Sequence, residues 1–450
     1  MNIQTNDLER MSNDYKGKET QQVISRAAQN VGIDQAAEKT TLYATDQFQF
    51  SIDVDSEVPA NQLQSGRCWM FATLNTLRWH IEKNLKLPKG SFELAQAYNA
   101  FYNKLERANW FMTRIIQTAD ADLQDQEVVW LLTNAMQDGG DFPMMIDLVK
   151  KYGVVPHTAM SETYCINNTS KLNDILSKLL RKDALVLRSL VREAASKEQL
   201  EAKQKEMLNE VYRVLCVTIG EPPKTFDFEY RDKDGKFHAD YNLTPQEFTK
   251  KYVPINLEDY VGVCNIPEKM VPYGSSFGVQ DSNEIIDGQP NRYLNVPMEE
   301  LKRVAIEQLK AGEPVWFGCD VLQMSDFQRG LLSLDLYDYN KMFDIDLDLT
   351  KEQRYVTRIS GPTHAMTLAG VDLDENGKPV RWKVENSWGT EAHGKPVGHG
   401  GYFIMDDAWF DQYMFEVAVR RGLISDKYRA GLDKEPVILP YWNIFNPVEG

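Results

Sequence analysis

The sequence predicts an α+β protein, with a helical part over residues 60–160 and a sheet-rich part over 300–440. Three observations predict it. Met70, Leu74, Leu77 and Ile81 recur at helical period. Between the two parts, Leu172, Ile175, Leu176, Leu179, Leu187, Leu190 and Val191 form a second, charged helical stretch that continues through Met207, Val211 and Leu215. Near the C-terminus, two strand-like runs flank Asp374-Glu-Asn-Gly377, which reads as a hairpin.

Length and charge bound the reading. At 450 residues there is room for two or three domains. The net charge of −16 argues against general affinity for nucleic-acid backbones or anionic membranes. No basic segment followed by an apolar run opens the chain, and no stretch is apolar enough for a transmembrane helix. Cysteines 68, 165, 216, 264 and 319 are scattered and odd in number, which suits reduced thiols in a cytoplasm.

From the N-terminus, residues 1–40 are polar, with a modest helical pattern at Val23, Ile24, Ala27, Ala28 and Val31 that reads as a surface helix, loosely ordered over 12–21. Phe48-Gln-Phe-Ser-Ile52 alternates, and an acidic loop then leads to Pro59. Ser65 and Gly66 suit the turn into a helix whose first turn holds Cys68. A thiol there feels the positive end of the helix dipole, which favours the nucleophilic thiolate. Gln62, six residues earlier, has an amide that can join the Cys68 backbone N–H in an oxyanion hole.

A second aromatic-rich helical stretch follows Ser91, and then Asp138-Gly-Gly-Asp-Phe142. Paired glycines such as Gly139 and Gly140 let another backbone approach closely, or form a turn between helices. In residues 170–215 acidic side chains interleave with the basic ones, as on a solvated helix face. Asp232-Lys-Asp-Gly235 marks a turn and Thr244-Pro-Gln-Glu247 a helix start. A helix over 298–311 precedes the apolar strand Glu313-Pro-Val-Trp-Phe-Gly-Cys-Asp320, in which Cys319 reads as core. The acidic loop 321–360 lacks the ligand order of a calcium loop, so no metal site is expected.

Gly361-Pro-Thr-His-Ala-Met-Thr-Leu-Ala-Gly-Val-Asp372 and Val380-Arg-Trp-Lys-Val-Glu-Asn-Ser-Trp-Gly389 are the hairpin strands. Folding about residue 375 sets His364 opposite Asn386. An imidazole near Cys68 can take its proton, and a carboxamide can orient the ring. Residues 400–405 add a strand, and 406 onward reads as a helix-and-loop region ending in a tail.

Gln62, Ser65-Gly-Arg-Cys-Trp69, His364 and Asn386-Ser-Trp-Gly389, in that order, resemble the papain clan of cysteine peptidases. Ser-Gly-Arg-Cys-Trp is the form of its intracellular branch, the bleomycin hydrolase and bacterial aminopeptidase C family. The resemblance implies a two-lobed papain-like core and an acyl-enzyme mechanism without a cofactor, with Cys68 as nucleophile, His364 as base, Asn386 as orienter and Gln62 at the oxyanion. It also implies that Trp388 covers the His–Asn bond and that Gly139 and Gly140 pair with peptide substrate. From Cys68 to His364 is 296 residues, where small papain-like enzymes need about 130–150, so residues 161–300 read as an inserted domain. The expected division is 1–40 arm, 41–160 helical lobe, 161–300 insertion, 301–436 sheet lobe and 437–450 tail. The family's tail lies in the cleft, where the terminal carboxylate, here on Gly450, holds the substrate ammonium, and its active sites face the inside of a homohexamer. Leu439-Pro-Tyr-Trp442 fits the family tail, but Asn443 to Gly450 departs from it. The expectation is an aminopeptidase. The alternatives are a thiol endopeptidase with an open cleft and a non-catalytic papain-fold scaffold or nucleic-acid-binding protein.

Overall fold

The helix that begins at the expected nucleophile, Cys68–Leu85, runs between two packed layers. It is seen in a computed structural model that describes residues 1–40, 47–54 and 58–446. Sequence periodicity marks one apolar face, yet nearly the whole helix from Trp69 to Glu82 is buried. One side meets the helices Gln96–Gln117 and Phe142–Tyr152; the other meets strands Val315–Cys319 and His364–Leu373. Burial on all sides explains why polar positions of this helix carry cross-links. Arg78 pairs with Glu385 at 3.1 Å, and Trp316 Nε1 donates to the Trp69 carbonyl at 3.2 Å.

The sheet is mixed. In spatial order its strands are Val437–Leu439, Ser276–Val279, Tyr293–Asn295, Tyr260–Cys264, Met414–Arg420, Val315–Cys319, His364–Leu373, Pro379–Glu385, Tyr402–Asp406, Leu331–Leu332 and Ser325–Asp326. Ile52–Asp53 pairs additionally with His364–Leu373. Val315–Cys319 is buried along its length, as expected of a central strand. The Met298–Lys310 helix covers one face through Leu301, Val304 and Leu309. Met414–Arg420 is a central strand where the sequence reading has helix and loop. Its apolar run is only seven residues long and is interrupted by Glu416, so it lacks a clean strand period.

The 161–300 stretch divides in the structure. The helices Ser170–Arg192 and Lys197–Thr218 bury Leu172, Leu176, Leu187, Met207, Val211 and Leu215 in the same core as Phe101, Phe111 and Ile115 of the helical layer. The Phe226–Arg231 and Phe237–Leu243 hairpin and the Pro245–Tyr252 helix attach there too, through Phe228 and Phe248. Strands from 260 to 295 belong to the main sheet. A boundary at residue 300 therefore cuts through the sheet, and the helices of 170–218 share the core of the helical layer instead of forming their own. The spacing arithmetic counts surplus residues but cannot see which core they join.

The arm also differs from expectation. Residues 12–21 lie in the helices Thr5–Gly17 and Glu19–Val31, joined at Lys18, whose ammonium reaches Asp344 at 2.8 Å. Tyr339 donates to Asp34 at 2.8 Å farther along.

Candidate active site

The turn before Cys68 is held from below by charge. Arg67 is buried and reaches Glu162 at 2.9 and 3.2 Å and Asn167 at 3.2 Å, while its Nε donates to Ser65 Oγ at 2.9 Å. Gly66 donates its N–H to Asp138 at 2.9 Å, and a Cβ there would sit 2.8 Å from Asp138 Cβ. Asp138 also accepts from Lys104 at 2.7 Å, from Asn173 at 2.9 Å and from Thr169. Burial pushes the Asp138 carboxyl up, but the Lys104 ammonium outweighs it and holds the group well below the usual range. The geometry at the nucleophile thus rests on a buried ion pair about which the local motif says nothing.

Cys68 is half-buried. Its sulfur meets the N–H groups of Ala365, Trp69 and Cys68 itself, each of which favours the thiolate. Burial nevertheless dominates and pushes the thiol up. The sequence expectation of a lowered thiol is corrected on this point: the dipole and N–H groups act, but desolvation is larger. A proton acceptor is therefore required to generate the nucleophile.

That acceptor stands on the opposite wall. His364 opens its strand directly beside Ala365, and its Nε2 lies 2.9 Å from Asn386 Oδ1. Because the carboxamide oxygen only accepts, Nε2 carries the proton, and the neutral ring keeps its lone pair on Nδ1. Burial lowers His364 to about 4, with the Asn386 bond opposing. Asn386 is fully buried. The Trp388 ring centre lies 4.9 Å from that of His364 and packs edge-on against Phe327 at 4.7 Å.

The hairpin register differs from the sequence expectation by two to three residues. The loop closes between Asp374 and Lys378, centred on Asn376 rather than 375, so Thr367 pairs with Glu385 and Leu368 with Val384. A bulge then shifts Gly370 onto Lys383. Continued to the strand end, this register brings Trp388 level with His364, and the two rings meet at a tilt of 35°. Asn386 still reaches the ring from the chain end beyond Glu385.

Gln62 is buried: its Nε2 donates to the Ser65 carbonyl at 2.6 Å, and its Oε1 accepts from Ser387 Oγ at 2.6 Å. Both links fix the amide between the cysteine turn and the Asn386 segment. Gly140 lies against Trp69, whose ring would be 2.4 Å from an added Cβ, so only glycine fits. The Gly139 carbonyl accepts from Arg107 at 2.7 Å. Gln62, Cys68, Gly139, Gly140 and His364 line one cleft of about 340 Å³, together with Phe445 and Asn446 of the tail. Glu449 and Gly450 lie outside the described residues. The sequence reading missed Asp138, Asp141, Tyr293 and Glu416, all of which line the same cleft. For Glu416 a signal was present: a lone charge inside an apolar run.

Residues 2–446 match the model of the peptidase C1-like family. The chain belongs to that family. It is a cysteine-type peptidase of the aminopeptidase C and bleomycin hydrolase type. It is 41% identical to aminopeptidase C of Streptococcus thermophilus, over 98% of both chains. It is 42% identical to aminopeptidase W of Lactobacillus delbrueckii subsp. lactis, over 97% of both. A crystal structure of PepW from Lactobacillus rhamnosis HN001 superimposes with a TM-score of 0.95 at 41% identity, covering 99% of this chain and 98% of that one. The papain-like α+β fold of this peptidase follows from that match. Among the described residues, no helix is long and apolar enough to cross a membrane.

Proposed function

We propose that this peptidase cleaves peptides by acyl transfer, with Cys68 attacking the carbonyl and His364 taking the thiol proton and then delivering it to the leaving amine. Asn386 orients the ring, and Trp388 keeps water from that bond. Gln62 Nε2 and the Cys68 N–H, a first-turn donor free of the helix ladder, stabilise the oxyanion. Arg107 already engages Gly139, so the Gly140 backbone is the better partner for the substrate chain. The carrying observation is the 2.9 Å His364–Asn386 contact on the wall facing Cys68 and Gln62. Cys68→Ala is expected to abolish turnover of a fluorogenic peptide while circular dichroism stays unchanged. Retained turnover refutes the assignment.

The same reading makes the enzyme an aminopeptidase with the Gly450 carboxylate at the substrate ammonium. Phe445 and Asn446 of the tail line the cleft, which supports it. A peptide with a free N-terminus should be cleaved and its acetylated form refused; cleavage of the acetylated form would mean an endopeptidase. The arm, lobes, inserted helices and tail would then serve a cytoplasmic homohexamer, in keeping with the five unpaired cysteines. Mass measurement in solution tests the assembly. The acidic balance gives nucleic acid no evident place in this function.

A further inference from the structure

The glycine segment of the cleft is held from behind by a charge pair that takes no part in the acyl transfer. The carbonyls of this segment are engaged in turn. That of Asp138 accepts from Trp69 Nε1 at 2.8 Å, and that of Gly139 accepts from Arg107 Nη2 at 2.7 Å. The N–H and carbonyl of Gly140 bond to nothing among the described residues, although Gly140 lines the cleft with Cys68. Which backbone groups are left for a bound peptide is therefore decided by where Arg107 holds the residue before.

Arg107 is fully buried on the Gln96–Gln117 helix. A guanidinium there is unfavourable unless it is matched. Among the described residues its one ion-pair partner is Glu284, also fully buried, whose Oε2 lies 2.5 Å from Nε. Glu284 arrives from the other layer, in the loop between the sheet strands Ser276–Val279 and Tyr293–Asn295. That loop is fastened along the helical layer. Asp281 accepts from Arg114 at 3.1 Å, Asn283 donates to Asp147 at 2.8 Å, and Ile285 is buried in the helical core. Near its far end, Asn291 donates at 2.7 Å to Asp141, the residue after Gly140. The loop thus meets the glycine segment twice, at Asp141 directly and at Gly139 through Arg107. A guanidinium is a rigid planar fork, so the contact of Nε with Glu284 fixes the direction in which Nη2 donates.

We propose that Glu284 and Arg107 act together as positioning residues for substrate binding: Glu284 orients the guanidinium, the guanidinium holds the Gly139 carbonyl, and the Gly140 N–H and carbonyl are left to pair with the peptide backbone. This rests on the peptidase reading above. Neither side chain touches the reacting atoms. Backbone pairing is made in the ground state and the transition state alike, so its loss appears in KM and not in kcat.

The test uses the full-length enzyme and the better of two fluorogenic peptides, one with a free N-terminus and one acetylated. It reads kcat, KM and the rate at which iodoacetamide, a small alkylator without a peptide backbone, modifies Cys68. Glu284→Gln keeps size and removes charge; it should raise KM about tenfold and leave kcat and alkylation within about threefold of wild type. Arg107→Lys keeps the buried charge, but one ammonium cannot serve Glu284 and Gly139 together, so the same split is expected. An unchanged KM in either folded variant overturns the proposal. So does alkylation that falls in parallel with turnover, because the pair then merely holds the lobe together. Where one variant does not fold, the other decides, and failure of both to fold makes the pair structural and overturns the proposal. Cys68→Ala run in parallel separates the two readings. Retained turnover there removes the peptidase reading, whereas an unmoved KM in the two variants with Cys68→Ala inactive removes the positioning alone.

Discussion

The two walls of the cleft are built from different physics. Beneath Cys68, position is set by ionised groups: Arg67 on Glu162, and Lys104 on Asp138. Around His364 it is set by neutral and aromatic groups: one carboxamide, Trp388 and Phe327. The nucleophile needs a rigid turn, and multidentate charge pairs supply rigidity. The base must lose and regain a proton within each cycle, and a neutral orienter leaves the ring free to do so. The difference teaches that the nucleophile wall should fail in stability and the imidazole wall in rate.

The largest expected effect is on the charged wall. Asp138→Asn leaves the Lys104 ammonium buried with no carboxylate beside it, only carboxamide oxygens such as that of Asn173 at 2.6 Å. Removing one member of a buried pair costs about 3–5 kcal/mol. Urea unfolding monitored by fluorescence measures this, and a loss below about 1 kcal/mol, the scale of one neutral hydrogen bond, would erase the contrast between the walls. The next effect lies opposite. Asn386→Ala should lower kcat about 10²-fold while costing only about 1 kcal/mol in stability. A variant that loses stability without losing kcat would show that Asn386 packs the wall and does not orient the ring.

The parts that were legible in the sequence are those written in local pattern. The Cys68 helix, the hairpin, the Val315–Cys319 strand and the Thr244 helix start are each carried by period or cap within a dozen residues. The Thr244 side chain does cap Pro245–Tyr252. Hairpin register depends on how the loop closes, and Asp374 binding the N–H groups of Asn376 and Lys378 moved it. The Asp138 network joins residues 66, 104, 138, 169 and 173, which no local spacing connects. Glu416 left one local signal, a lone charge inside an apolar run, but the space that Gly262 and Gly318 make for it is set by strand pairing and not by its own segment.

The smallest effect separates the walls by pH. His364 is lowered from 6.5 to about 4 by burial, so its native form resists protonation that the unfolded chain accepts. Stability from this group is full above about 6.5 and is lost as pH falls toward about 4. Asp138 is shifted the other way relative to its charge: its contribution is full above its unfolded value of 3.8 and is lost only below that. Mild acid should therefore weaken the imidazole wall first and leave the ion pair intact. Between pH 7 and 5, wild type should lose up to about 2 kcal/mol more than His364→Asn, which cannot titrate. His80, also lowered to about 4, is common to both proteins and cancels in the comparison. Equal losses in the two would mean that His364 is hydrated and readily protonated in the folded enzyme. The dry, neutral wall would then be the wrong picture, and the acid limb of kcat/KM should move up toward the ordinary histidine range with it.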